Sequence, residues 1–311
     1  MDLGPDSVIL ALGGARGITA SVCEEIAERF HCRFALVGRS PFPTTEGAET
    51  KKLVAEADLK RAIMERRKSK GDPMTPVLVE AEYRAFKAGR EIRSTLDHLA
   101  SYGVPAEYHS LDVRDGHRLG ELIEGIYERL GRIDGVIHGA GVIEDGLAVG
   151  KGQETFAKVY DTKVAPAVTL VQALRPEALR FCAFFSSIAA RYGNEGQTDY
   201  AAANEALNAL AVDLDRKWNA RVVSVGWGPW AERGMASPLL REKMAGRGFD
   251  YIPLRAGCRS FVDELLYGRK GEAEILLFAP ARSGPLAAPI EGGELRGEWP
   301  IEAAVQAHEQ L

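Results

Sequence analysis

The chain has 311 residues, of which 46% are hydrophobic and 27% charged, and its formal net charge is −5. This balance suits a soluble protein with a substantial core, and the negative charge speaks against a nucleic-acid partner. The absence of any run of about 18 apolar residues speaks against a membrane span.

The N-terminus, M-D-L-G-P-D-S, lacks the basic and apolar regions of a signal peptide. Cys23, Cys32, Cys182 and Cys258 are scattered, with no C-x-x-C pair. They read as core residues of a cytoplasmic protein, and nothing points to a metal.

Val8 to Leu12 is a short apolar strand, and Ser21 to Phe30 has helical periodicity. Between them lies Gly13-Gly14-Ala15-Arg16-Gly17-Ile18-Thr19. Glycines here let the backbone approach a pyrophosphate, which free N–H groups and the helix dipole attract. Gly13, Ala15, Arg16, Gly17 and Ile18 are the candidate contacts; a plain tight turn is the alternative. After the second strand, Phe34 to Val37, the acidic residue that binds a ribose hydroxyl is missing, and Gly38-Arg39-Ser40 stands there. Arg39 with Ser40, and Arg16 in the glycine turn, offer guanidinium forks to a 2′-phosphate. Either arginine alone reads equally as a solvated surface group; together they favour NADPH over NADH.

The stretch from Gly38 to Pro105 is longer than one crossover requires. Glu46 to Lys70 has roughly helical spacing, Pro73 and Pro76 interrupt the chain after it, and Arg90 to Tyr102 is the expected crossover helix. Residues 41–88 therefore read as a helical insertion, either an elaboration packed on the sheet edge or a surface for a partner. Tyr108 to Val113 is the expected third strand. Asp112, beside Val113 at its end, can accept from an adenine amino group or cap a helix near Asp115.

A helix over Leu119 to Leu130 leads to a fourth strand, Gly135 to His138. That strand ends in Gly139-Ala140-Gly141, where small residues let a cofactor lie against the backbone; a bare sheet-edge turn is the alternative. Helix Phe156 to Leu174, strand Phe181 to Ser186, helix Asp199 to Trp218, strand Arg221 to Trp227, helix Arg259 to Tyr267 and strand Ile275 to Phe278 complete the series. The rhythm is α/β, a doubly wound and mostly parallel sheet. Residues 1–280 form one expected domain, and 281–311, rich in Pro, Gly and Glu, a linker or tail.

Ser187 closes the fifth strand, thirteen residues before Tyr200, and Asn204 lies one helical turn after that tyrosine. A hydroxyl, a phenol and an amide at this spacing, at the carboxyl edge of a parallel sheet, can converge on one carbonyl oxygen. A tyrosine donates a proton to an alkoxide when a nearby cation lowers its pKa. Short-chain dehydrogenases usually place a lysine four residues after the tyrosine; this chain has Asn204 there. Lys163, in V-Y-D-T-K-V-A-P, is the candidate cation, although alone it would pass for a surface lysine.

With the lysine and asparagine exchanged in this way, Lys163, Ser187, Tyr200 and Asn204 resemble the ketoreductase domains of polyketide and fatty-acid synthases. H-G-A-G-V-I-E-D-G (138–146), F-F-S-S-I-A-A (184–190), G-Q-T-D-Y-A-A-A-N-E-A-L-N-A-L-A (196–211) and G-W-G-P-W (226–230) agree. The insertion after Arg39 resembles that of enediyne and polyunsaturated-fatty-acid synthases. The resemblance implies a Rossmann-type fold and reduction of a β-ketoacyl group on an acyl carrier protein, within a larger synthase. It makes Tyr200 the proton donor and Ser187 the group that hydrogen-bonds the carbonyl oxygen. Lys163 would favour the tyrosinate and hold the nicotinamide ribose, Asn204 would orient the lysine or a relay water, and Gly228-Pro229 would lie along the nicotinamide. Ala231 to Tyr251, with Met235, would form a lid over the acyl chain.

Asp145, kept from a Leu-Asp-Asp triplet, and Tyr192, where the opposite stereochemical type carries tryptophan, imply a 3R-hydroxy product. Two departures stand out. Thr19 occupies the place of a third glycine, and the cofactor-free subdomain that precedes the catalytic one in this family has no counterpart in the sequence. An excised fragment, a partner supplying that half, or a type that manages without it remain open. A free-standing reductase of small ketones or free thioesters, and a catalytically silent scaffold domain, are the competing readings.

Overall fold

The computed structural model describes residues 2–42, 46, 48–231 and 249–280. The described residues form nine strands and nine α-helices. The strands are β1 (Val8–Leu12), β2 (Arg33–Gly38), β3 (Ala106–Ser110), β4 (Gly135–His138), β5 (Phe181–Ser187), β6 (Arg221–Trp227), β7 (Phe249–Asp250), β8 (Glu274–Leu277) and β9 (Ala279–Pro280). The helices are α1 (Gly17–Phe30), α2 (Ala48–Lys51), α3 (Glu56–Lys70), α4 (Pro76–Ser101), α5 (Gly116–Leu130), α6 (Gln153–Ala173), α7 (Ala189–Tyr192), α8 (Thr198–Lys217) and α9 (Leu254–Tyr267).

Seven strands make one parallel sheet in the order β3-β2-β1-β4-β5-β6-β8, and β7 with β9 makes a small antiparallel pair. This is the expected doubly wound α/β architecture. The central strands carry apolar side chains on both faces because helices cover both. Along β1, Ile9 and Ala11 join the core cluster shared with Val22, Ile26, Ile92 and Phe261. Val8, Leu10 and Leu12 join the opposite cluster with Ile123, Leu170 and Leu207. The period of two along a strand thus divides one sequence run between two cores. All four cysteines are buried, and burial pushes the thiols of Cys32 and Cys182 up to about 12.

The chain order reverses between β1 and β4, so the loops after these strands open a crevice at the carboxyl edge. Gly13 has a φ of +78°, and a Cβ there would sit 3.0 Å from the Ala140 nitrogen, so the two loops meet backbone to backbone.

Two expectations need adjustment. The third strand stops at Ser110, because its partner β2 ends at Gly38 and only Leu111 N–H, donating to Gly38 O, extends the pairing. Asp112 and Val113 therefore lie in the loop beyond the strand. In the long crossover, Pro76 starts a helix where the sequence suggested a break. Thr75 caps that helix by accepting from Leu78 N–H, and proline is well tolerated at the first helical position. The resulting α4 runs 26 residues without interruption through Ala88. Its outer half pairs with α3 through Lys60–Glu80 and Arg67–Glu82, and its inner half buries Ile92 and Leu99 on the sheet. The expected insertion boundary near residue 88 falls inside this single helix.

Candidate active site

Ser187 is the last residue of β5, paired in register with Trp227 of β6. The short α7 and a turn through Gly193 and Gly196, both with positive φ, reverse the chain into α8. Tyr200 lies in the first turn of α8 and Asn204 one turn further, both buried. Ser187 Oγ accepts from Ala189 N–H at 3.1 Å, which leaves its own O–H to donate. Burial raises the Tyr200 phenol above its ordinary value, while the side chains of Ser187 and Asn204 pull it back down.

Lys163 reaches the phenol from α6. Its side chain is 3% exposed, its Nζ donates to Phe185 O at 2.7 Å, and that nitrogen lies 5.8 Å from the centre of the Tyr200 ring. Gly141 makes room for it: a Cβ there would stand 3.1 Å from Lys163 Cε. Burial pushes the ammonium down to about 7. Beneath it, His138 Nε2 lies 2.8 Å from the Lys163 backbone carbonyl and must donate, since a carbonyl only accepts. Burial takes this imidazole down to about 3, so it stays neutral and holds the helix backbone by an uncharged bond.

Asn204 sits behind the phenol. Its Nδ2 donates to Tyr200 O at 2.7 Å, and its Oδ1 is buried without a partner among the described residues. Its backbone carbonyl accepts from Ser186 Oγ.

One cleft of about 950 Å³ joins these groups to the crevice between β1 and β4. Every residue expected to touch a cofactor lines it: Gly13, Ala15, Arg16, Gly17 and Ile18 at one end; Arg39, Ser40, Asp112 and Val113 beside them; Gly139, Ala140, Gly141, Gly228 and Pro229 towards Tyr200. Lys163, Ser187 and Tyr200 line it as well, whereas Asn204 does not. The electrostatics at the far end are uneven. Arg39 is exposed and hydrogen-bonds no other described residue. Arg16 Nε is taken by Glu91 Oε2 of α4 at 2.6 Å. Asp112 binds Arg114, whose guanidinium, with Arg39 beyond it, holds the carboxyl below the usual range. The cap of α5 is Asp115, which accepts from Arg118 N–H.

Of the residues tied to stereochemistry, Asp145 accepts from Gln197 Nε2 at 2.8 Å, and Gln197 itself lines the cleft. Tyr192 is exposed at the end of α7, away from that lining. Met235 and most of the expected lid fall outside the described residues. Thr19 fills the space above Gly139 with its hydroxyl and methyl, a place that admits no Cβ on residue 139.

One wall of the cleft comes from α4, a helix that carries no sequence-predicted site residue. Lys87, Glu91, Ser94 and Thr95 of α4 face it, and Thr95 Oγ1 donates to Ala15 O at 3.0 Å, fastening α4 to the glycine turn. Their spacing of four, three and one residues is that of a single helix face. That pattern was visible in the sequence; polar residues on a crossover helix simply look like a solvated face.

The KR domain profile matches residues 7–232. The chain belongs to the ketoreductase (KR) domain family. It is 33% identical over 285 residues to a polyunsaturated fatty acid synthase protein of Thraustochytrium sp., an alignment that takes in 88% of this chain and 10% of that protein. The matched region is thus about one tenth of that synthase protein's length. Among solved structures, a ketoreductase domain from the bacillaene assembly line superposes with a TM-score of 0.68 at 25% identity, over 90% of this chain and 58% of that one. A short-chain dehydrogenase from Burkholderia cenocepacia in complex with NADP superposes with a TM-score of 0.64 at 15% identity, over 89% of this chain and 98% of the other, and shares the fold.

The depressed Lys163 value carries a sign for stability. Its folded pKa of about 7 lies below the ordinary lysine value near 10.5, so between these two the unfolded chain holds a proton that the folded one lacks. Stability then rises with pH, by at most about 1.4 kcal/mol per unit for one proton. Wild type should gain stability relative to Lys163→Met as pH is raised from about 6.5 to 9 in urea titrations. A difference that stays constant with pH would contradict the assignment.

Proposed function

We propose that this KR domain, residues 1–280, uses NADPH to reduce a β-ketoacyl group held on the phosphopantetheine arm of an acyl carrier protein. In this reading it works beside other domains of a cytoplasmic polyketide or fatty-acid synthase. The observation that carries the reading is the convergence of Ser187, Tyr200 and a buried Lys163 at one end of a cleft whose other end presents Arg39.

The residues present suit a phosphorylated dinucleotide. Gly17 has a φ of +63°, and a Cβ added there would meet nothing within 4 Å, so the turn leaves a backbone cradle at the start of α1. Pyrophosphate suits such a cradle, because the backbone at a helix N-terminus and the helix dipole favour an anion. Arg39 would take the 2′-phosphate, with Ser40 beside it, and Arg16 would join on exchanging Glu91 for phosphate. Asp112 and Val113 would flank the adenine, and Gly139 to Gly141 and Gly228-Pro229 the nicotinamide half. When bound, the nicotinamide supplies a hydride to the ketone carbon.

The protein's own groups handle the oxygen. Ser187 O–H donates to the substrate carbonyl and stabilises the negative charge that develops on it. Tyr200 Oη donates its proton to the same oxygen, which completes the alcohol and leaves a phenolate. Burial opposes that phenolate, and the Lys163 ammonium offsets the penalty by supplying positive charge close by. With its pKa near 7, Lys163 can also pass a proton on to the phenolate. Asn204 fixes the backbone of Tyr200, and its Oδ1, without a partner among the described residues, offers an acceptor for a relay water or for Lys163.

Three outcomes test this reading. Tyr200→Phe should lower turnover of a β-ketoacyl thioester by about 10²- to 10⁴-fold with NADPH affinity retained; full activity would refute the proton donor. Arg39→Ala should weaken NADPH binding in a fluorescence titration while NADH binding changes little, and equal losses for both would reject its phosphate role. The product, resolved by chiral chromatography, should be the 3R-hydroxyacyl thioester expected from Asp145 and from a tyrosine at position 192; a predominantly 3S alcohol would overturn that assignment.

A further inference from the structure

Lys151 stands just before α6, two residues ahead of Gln153, and its ammonium is almost wholly buried. Its Nζ donates to three oxygens: Glu144 O at 2.8 Å, Gly196 O at 3.0 Å and Asp199 Oδ1 at 2.6 Å. The side chains of Lys151 and Asp199 are 3% and 1% exposed. Three donors meeting three acceptors account for the whole hydrogen-bonding capacity of an ammonium.

The acceptors belong to two segments that border the reaction. Glu144 sits in the loop after β4, next to Asp145. Gly196 and Asp199 form the entry to α8, next to Tyr200. Asp199 Oδ1 also accepts from Tyr200 N–H at 2.8 Å, so one carboxylate oxygen joins the lysine to the backbone of the candidate proton donor. Direct bonds join the same two segments, from Gly146 N–H to Gly196 O at 3.0 Å and from Gln197 Nε2 to Asp145 Oδ1. The backbones lie so close that a Cβ on Gly196 would be 3.3 Å from the Gly146 nitrogen, and Gly196 has a φ of +80°. Further along, the same helix carries Lys163, so α6 delivers one lysine to the phenol and is tied at its start to the helix bearing that phenol.

We propose that Lys151 is a positioning residue: by binding Glu144 O, Gly196 O and Asp199 together, it sets the position of Tyr200 relative to Ser187, Lys163 and the 143–146 loop. Burying an ammonium is costly unless it is paired and fully hydrogen-bonded, and a pair so enclosed is a weak source of net stability. What it supplies is geometry: two segments that would otherwise meet through a few neutral bonds are held at one separation. Small displacements of a reacting group carry large rate penalties, which is why a residue outside the cleft lining can matter to turnover.

The inference rests on the reductase reading for its rate effect, so the experiment also carries a readout that needs no turnover. Wild type, Lys151→Met and the double variant Lys151→Met/Asp199→Asn are compared at a temperature at which circular dichroism shows all three folded. The double variant removes the uncompensated buried carboxylate yet leaves an amide oxygen to accept from Tyr200 N–H. Hydrogen exchange should quicken jointly in peptides covering 143–147 and 196–201 of both variants, with the glycine turn at 13–19 unchanged. In Lys151→Met the kcat for a β-ketoacyl thioester should fall about 10- to 100-fold with NADPH affinity unchanged. In the double variant the melting temperature should recover towards wild type while kcat stays low.

Recovery of kcat together with melting temperature would reduce Lys151 to a purely structural role and overturn the proposal. Unchanged exchange in both segments would overturn it whatever the turnover. If Lys151→Met does not fold, the double variant alone decides, by the same two criteria. Joint quickening of exchange in a protein whose wild type reduces no β-ketoacyl thioester would leave the positioning intact and count against the reductase reading.

Discussion

The candidate site is organised around a lysine that has lost its water. Desolvation brings the Lys163 ammonium to about 7, and the neighbouring features answer the need to hold it there. Gly141 leaves space where a Cβ would press on the lysine at 3.1 Å, Phe185 offers its carbonyl, and His138 stays neutral while securing the helix backbone from below. The position one turn after Tyr200, left without a lysine, carries an amide instead. Asn204 is short enough to stay behind the phenol and bond its backbone. The exchange of lysine and asparagine is therefore a change in which helix supplies the cation: α6 brings it from the side, and α8 is free to present only the phenol.

Much of this was legible in the sequence. The central strands were readable because parallel strands buried on both faces are continuous apolar runs, so Val8–Leu12, Gly135–His138 and Arg221–Trp227 fell where expected. Ser187, Tyr200 and the small residues after β1 and β4 do come together along one cleft, although for the small residues a plain turn was an equally local explanation. Tertiary partners decided the rest. Nothing local says that β3 must end when β2 gives out at Gly38. Pro76 is ambiguous by itself, since the same residue breaks a helix or begins one, and Thr75 before it settles the matter only once the capping bond is seen.

The misses share a physical cause. Glu91 and Lys151 both act through partners far away in sequence, and neither type nor spacing announces a partner 75 or 48 residues distant. A charged residue on a helix, or just before one, reads by default as solvated. Burial reverses that reading for Lys151, and a close guanidinium reverses it for Glu91. The two candidate arginines are thereby separated: Arg39 is exposed, while Arg16 is already paired with Glu91.

The wall that α4 lends to the cleft has a consequence for how this protein can change over time. The strands and the catalytic end are bound into shared cores, where a substitution on one element disturbs several others. The cleft face of α4, by contrast, comes from a helix whose packing is carried by other faces, through Ile92 and Leu99 on the sheet and through α3 further out. Positions 87 and 94 lie on that face apart from the sheet contacts, whereas Glu91 is tied to the glycine turn through Arg16. A change on this face of α4 would alter one wall of the cleft without touching the sheet edge that carries Ser187 and the helix that carries Tyr200.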